Sequence, residues 1–331
     1  MSVDVISYPG LIQLERQLHL PQSDEAIGRF FYGEYNSQII GNGYDMDGLK
    51  EYDGGDSRHI NWGQSARIPD GKLLVNQFYD EKVPLTIFVS DVPIHERYAK
   101  TRGHDMTARA LGFVASHLLL RASEMQGSPL TVRWTDGYKH DARTNSTRTY
   151  EGENAAKRAV QRGLSVAELS TNRALAVTER KTGRFGFRKR VDGVQAEALE
   201  RETFSDVLQE VTRRSRTLAD MARFIVVSDF RSGFDATQES LQKISRTNDV
   251  ITVQITHPVL RGEGVKRGDV LAGATKGQNI LLETDAQVQK YINDVRAKQA
   301  RIDAGLRAVS QRTVTLDTAQ PDWFKSLKKV A

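Results

Sequence analysis

The chain predicts an α/β fold, a mostly parallel, Rossmann-like sheet flanked by helices, preceded by an N-terminal β-rich arm. Three observations lead there. Pro84-Leu85-Thr86-Ile87-Phe88-Val89, Arg223 to Val227 and Val250 to Ile255 are short, continuous, β-branched apolar runs, the pattern of strands buried on both faces. Between the first run and Leu130-Thr131-Val132-Arg133-Trp134, the segment from Met106 to Met125 sets Leu111, Val114, Ala115, Leu118 and Leu119 on one helical stripe. Strand, helix, strand in that order implies a right-handed crossover between parallel neighbours. Ahead of Val83, by contrast, apolar residues are too sparse for an independent core, so residues 1–82 form an arm packed on a main domain of residues 83–331.

Element by element, Leu11, Leu14 and Leu18 recur at helical spacing and predict a short amphipathic helix ending near Pro21. Phe30-Phe31-Tyr32, Tyr44 and the run Lys72 to Asp80 read as extended segments around turns. Gly127-Ser128-Pro129 ends the first long helix. Glu153 to Arg162 looks helical, whereas residues 163–195 show no clear period and read as a basic, flexible insertion. Helices follow at Ala196 to Arg216 and Thr237 to Ile244. Asn279-Ile280-Leu281-Leu282 reads as a late strand. Asp285 caps a long helix through Ala308, and a short helix spans Trp323 to Val330.

Composition excludes several classes. With no cysteine among 331 residues, disulfides, thiolate zinc sites and cysteine nucleophiles are ruled out, and a cytoplasmic home fits. No apolar run approaches the roughly 20 residues that cross a bilayer, and Asp4 without a basic flank argues against a secretory signal. The net charge of +5 is unevenly spread: Arg133 to Arg190 holds 14 Lys/Arg against 6 Asp/Glu. Arg180, Lys181, Arg184, Arg188, Lys189 and Arg190 are its densest part. Such an excess suits phosphate backbones, and equally a solvated loop or an acidic protein partner.

The segment from Lys50 to Arg67 concentrates turn-forming, aromatic and charged residues. Asp53-Gly54-Gly55-Asp56 reads as a turn, because glycine tolerates positive φ and aspartates bond nearby amides. Tyr52, Asp56, Arg58, Trp62 and Arg67 are its candidate contact residues. Glu51, Tyr52, Gly55, Asp56, Arg58, Ile60, Trp62, Ala66 and Arg67 stand at the spacing of the signature of the domain of unknown function 58 proteins, which the chain resembles. Lys50 stands for that signature's arginine and Asn61 for its aspartate. A second match, Phe224-Ile225-Val226-Val227-Ser228-Asp229-Phe230, lies in the expected order downstream. The resemblance covers roughly residues 28–330. It implies a von Willebrand factor A-like domain, a non-enzymatic adaptor that partners a MoxR-type AAA+ ATPase in assembly or remodelling. Many members carry N-terminal membrane helices, from which this chain departs.

The same resemblance implies a metal site at the carboxyl ends of the strands, built on Asp-x-Ser-x-Ser, a threonine and a late aspartate. Magnesium needs hard oxygen ligands in near-octahedral geometry. Here the first element is Ser90-Asp91-Val92-Pro93-Ile94-His95, so Val92 and Ile94 fall on ligand positions and bring no oxygen. Ser90 or Asp91, Thr203 and Asp229 remain, which reads as a degenerate site with no bound cofactor expected. The bland role for Asp229 is to cap the following turn.

Nothing favours another chemistry. Seven scattered histidines include no HExxH pair, and neither a Walker loop nor a GxSxG elbow occurs. His95 and His104 flank the presumed ligand face, and His117 reads as a partly buried helix residue. Beside the adaptor stands one alternative, a nucleic-acid-associated protein of a phage or mobile element, acting in replication or transcription. It would bind through the basic insertion, with Trp134, Tyr138, Tyr150, Phe185 and Phe187 available to stack on bases.

Overall fold

The computed structural model describes residues 7–17, 40–52, 60–79, 85–91, 108–125, 127–137, 146–182, 202–215, 222–256, 258–271, 280–310, 312–317, 320 and 325–327. The chain clusters into two units, one of residues 1–32 and 84–331, the other of residues 33–83.

The larger unit is an α/β domain of von Willebrand factor A-like topology. Its strands are β3 (Leu85–Asp91), β4 (Leu130–Thr135), β5 (Arg148–Tyr150), β6 (Ala222–Ser228), β7 (Asp249–Thr256) and β10 (Arg312–Asp317). In space they run β10-β7-β6-β3-β4-β5. All pairs are parallel except β4 with β5. Strand order therefore reverses between β3 and β6, the switch point where open α/β sheets place ligands at their carboxyl ends. A small ribbon, β8 (Val270–Leu271) with β9 (Ile280–Leu281), lies between β7 and the last helix.

Each central strand feeds two cores, which explains its unbroken apolar sequence. On one face Phe88, Ile225, Val227 and Ile251 pack under α1 (Tyr8–Gln17), α3 (Ala108–Met125) and α4 (Ala155–Thr182). On the other, Ile87, Val89, Phe224 and Val226 pack under α5 (Phe204–Ser215), α6 (Phe234–Ile244) and α7 (Asp285–Val309). Helix α1 docks through Leu11, which is wholly buried, and through Tyr8. The Tyr8 hydroxyl lies 3.3 Å from Nε2 of His117, and the two rings meet edge to face. His117 is thus fully rather than partly buried.

Three sequence expectations change. The helix beginning at Ala155 continues to Thr182 instead of stopping at Arg162. Within it Gly163 makes a close contact: a Cβ there would lie 2.6 Å from Cε2 of Trp134. The cap of α7 is Thr284, not Asp285. Its hydroxyl accepts from Gln287 N while the Gln287 side chain accepts from the Thr284 amide, a reciprocal capping box. Strands β5 and β10 were unforeseen, because neither carries an apolar run. At the chain end, only a helical turn over residues 325–327 falls among the described residues.

The smaller unit is built on an antiparallel pair, β1 (Ile40–Glu51) with β2 (Leu74–Tyr79), and a single helical turn, α2 (Trp62–Ser65). Two register shifts between Gly41 and Gly48 bend β1. Phe30-Phe31-Tyr32 and the Asp53 to Asp56 turn lie outside the described residues.

Candidate functional site

At the switch point, β3 ends in Ser90-Asp91 and β6 in Ser228, followed by Asp229. Parallel pairing brings Ser90 level with Val227, so the two strand ends meet. The Ser228 hydroxyl donates to Oδ2 of Asp91 at 3.4 Å and accepts from the Phe230 amide at 3.0 Å. Oδ1 of Asp229 accepts from the Arg231 amide at 2.9 Å. Both side chains thereby shape the turn after β6. Phe230 itself takes φ 54°, a left-handed conformation rare for a bulky residue. It is held there by its buried ring, edge to face with Phe204.

Electrostatics make this corner unusual. Burial, the nearby Asp229 and then Asp136 push the Asp91 carboxyl well above the usual carboxylate range, against the lowering hydrogen bond from Ser228. Across from it, burial and the neighbouring Arg231 lower Lys298 of α7, while Asp229 pulls it the other way. Lys298 therefore already attends Asp229.

The residues present do not fit a magnesium ion. Thr203 donates its hydroxyl to Oδ2 of Asp206 at 2.7 Å and accepts from the Asp206 amide, so it serves as the N-cap of α5. Val92 and Ile94 carry no oxygen. Lys298 interacts with Asp229, where a cation would have to bind. Among the described residues, no group of three or more histidines and carboxylates is arranged to hold a metal. What the fold does bring together is Ser90, Asp91, Ser228 and Asp229, with Asp136 at the end of the next strand.

Asp136, Ser228 and Lys298 were not singled out in the sequence. Asp136 carried a usable signal: an acidic residue directly after an apolar strand, as at Asp229. Also unforeseen is the buried pair Arg133–Glu202, which ties the end of β4 to the start of α5. Burial raises the Glu202 carboxyl, opposed by the Arg133 guanidinium.

In the smaller unit the signature divides into an inner and an outer set. Ile60 is buried and bridges to Val75. Ser65 accepts from the Leu74 amide at 2.8 Å and donates to the Asn61 carbonyl at 2.7 Å. Asn61 caps α2 through Oδ1, accepting from Gln64 N at 3.0 Å, and its Nδ2 donates to Oδ1 of Asn76 at 2.9 Å. An aspartate there could cap but not donate. The amide of Tyr52 donates to Leu73 O, and Glu51 pairs with Lys72 at 3.0 Å. Outward, Arg67 is exposed and Trp62 is 65% exposed. Asp56 and Arg58 lie outside the described residues.

The nucleic-acid surface loses a member. Trp134 is buried between Phe88 and Phe113, its Nε1 donating to Ala159 O at 2.9 Å, so it has no face for a base. Arg184, Arg188, Lys189, Arg190, Tyr138, Phe185 and Phe187 lie outside the described residues. So do the side chains of Arg180 and Lys181, whose backbone continues α4.

No family model matches the chain, and no curated protein does. Among solved structures, the chain is similar to the conserved hypothetical protein BatB from Bacteroides thetaiotaomicron. The two share 10% identity at a TM-score of 0.37, over 75% of this chain and 97% of that one. No described helix is long and apolar enough to cross a membrane.

Proposed function

We propose that this chain is a non-enzymatic protein-interaction module, an adaptor working with a MoxR-type AAA+ ATPase in assembly or remodelling. The observation that carries the reading is Trp62. A tryptophan is rarely left in water, yet here 65% of it is exposed on a turn whose neighbours Ile60, Asn61 and Ser65 are all fixed by packing or hydrogen bonds. Exposed aromatics on rigid supports are typical anchors of protein interfaces. Leu49, 40% exposed, lies on the same small unit. Its register partner is Asn76, the residue that also accepts from Asn61 beside Trp62.

The test is binding of the purified chain to a purified MoxR-type AAA+ ATPase from the same genome, with ATP and with ADP. Trp62→Ala should weaken that binding by roughly thirtyfold, the effect of losing an anchor worth about 2 kcal/mol. Absence of binding in both nucleotide states would remove the ATPase partner. Binding indifferent to Trp62→Ala would remove the surface.

A further inference from the structure

The two edges of the six-stranded sheet are built differently. Edge β5 is three residues long, bears exposed Arg148 and Thr149, and pairs antiparallel. Shortness and charge are ordinary ways of blunting an edge against pairing with another chain. Edge β10 is twice as long, and its charges stand only at its ends, Arg312 and Asp317, leaving Thr313 to Leu316 without any. Its six residues hold an unbroken parallel register with β7 from Arg312↔Ile251 to Asp317↔Thr256. Threonine and valine at its centre favour the extended state. By the alternation of backbone groups in a strand, half of its amides and carbonyls point away from β7. Among the described residues no strand takes them up.

Beside this edge lies a cleft of about 310 Å³, lined by Asp303 and Arg307 of α7 and by Ser310, Thr313 and Thr315. It is polar because the sheet face beneath α7 turns polar toward the edge. Thr252 and Gln254 are buried there. Thr252 donates to Thr313 at 3.1 Å, and Thr315 donates to Gln254 at 3.4 Å. Val314 and Leu316 point the other way, into the core. Asp303 accepts from Gln299 Nε2 at 2.7 Å, and Arg307 is exposed one turn on.

We propose that β10 is a dimerisation edge, pairing antiparallel with β10 of a second copy of this chain, with Asp303 and Arg307 forming reciprocal ion pairs across the two-fold axis. The edge is self-complementary. In an antiparallel pair, opposite residues share a sheet face, so a two-fold centred on Val314 sets Thr313 opposite Thr315 of the second copy in both halves. That extends the hydroxyl ladder begun by Thr252 and Thr313, and cross-strand threonine pairs are favourable. The same operation runs α7 antiparallel to its copy. Opposite charges one turn apart on a helix then meet their complements twice, as an isologous interface requires.

Sedimentation velocity of the full chain from about 1 to 100 µM tests this, a range that brackets a micromolar dimer. A dimer that dissociates on dilution is expected. Arg307→Asp and Asp303→Arg should each raise the dissociation constant by roughly tenfold or more, about 1.4 kcal/mol per factor of ten. The combined variant D303R/R307D should recover the wild-type value, since the swap restores both pairs. A monomer throughout, a dimer unaffected by either single change, or a combined variant as weak as the singles would each overturn the proposal. Hydrogen exchange needs no variant. Amides within Arg312 to Leu316 should gain protection with concentration, and protection that stays constant would likewise overturn it.

Discussion

Nη2 of Arg133 donates to both carboxylate oxygens of Glu202, at 2.7 and 2.9 Å, although 69 residues separate the two in the chain. Their side chains are 4% and 6% exposed. Thr135 adds a hydrogen bond to Oε2 of Glu202, Glu210 lies 3.7 Å from the same guanidinium, and the Glu202 amide donates to Gly137 O. The start of α5 is thereby fixed to the end of β4, beside the switch point.

Glu202→Ala should destabilise the fold by about 3 kcal/mol, because it leaves the buried guanidinium with only the longer contact to Glu210, at 3.7 Å. Replacing both partners, as in Arg133→Met with Glu202→Leu, should cost much less, since burying two charges nearly cancels their attraction. Urea denaturation of the two variants checks the ordering. A single variant no worse than the double would show that water reaches Arg133.

Gly163→Ala sets two effects against each other. Alanine favours a helix over glycine by about 1 kcal/mol. Its Cβ, however, would approach three indole carbons of Trp134 to within 2.8 Å. That indole is buried and hydrogen-bonded to Ala159 O, so it yields little, and overpacking of this kind costs about 1–3 kcal/mol. The expected result is a lower melting temperature. A rise would mean that the indole moves aside freely.

Asp91 gives a pH signature. Its folded-state pKa lies above its unfolded value, so folding favours the protonated acid. Stability is then highest below the ordinary carboxylate range and is lost as pH rises from there through the raised pKa, about 1.4 kcal/mol for each unit of elevation. Asp91→Asn keeps the shape without the charge. Its advantage over wild type should be absent at low pH and grow with pH across that window. Parallel stability curves for the two proteins would contradict the raised pKa.

Thr203→Ala should cost about 1 kcal/mol, the usual loss for an N-cap, because its hydroxyl bonds Asp206. Melting curves with and without magnesium should show the same loss. A cost that appears only when magnesium is present would return Thr203 to a ligand role.

The central strands are legible in the sequence itself. A strand buried on both faces needs apolar residues at every position, and Ile87-Phe88-Val89 and Phe224-Ile225-Val226-Val227 supply them to both cores. Helix α3 was equally plain, since its apolar stripe repeats at the helical period. The missing oxygens at Val92 and Ile94 could also be read directly, because a side chain without an oxygen cannot ligate magnesium in any fold. Local chemistry of this kind is carried by residue type and spacing alone.

Other features depend on partners distant in the chain. Arg-Thr-Val-Thr-Leu-Asp holds only two apolar residues, and becomes β10 because β7 pairs with it and α7 leaves its other face polar. Gly163 looked like the end of a helix until the indole of Trp134 filled the space of its missing side chain. Trp134 and Trp62 are the same residue type and seemed equally available for contact. Packing buries the first between two phenylalanine rings and leaves the second in water. Likewise, Asp91 and Ser228 meet across 137 residues only because β3 and β6 are neighbours at the reversal of strand order. Sequence spacing encodes periods along one element. Burial, pKa and the free edge of a sheet arise from which elements become neighbours, and that is a property of the assembled chain.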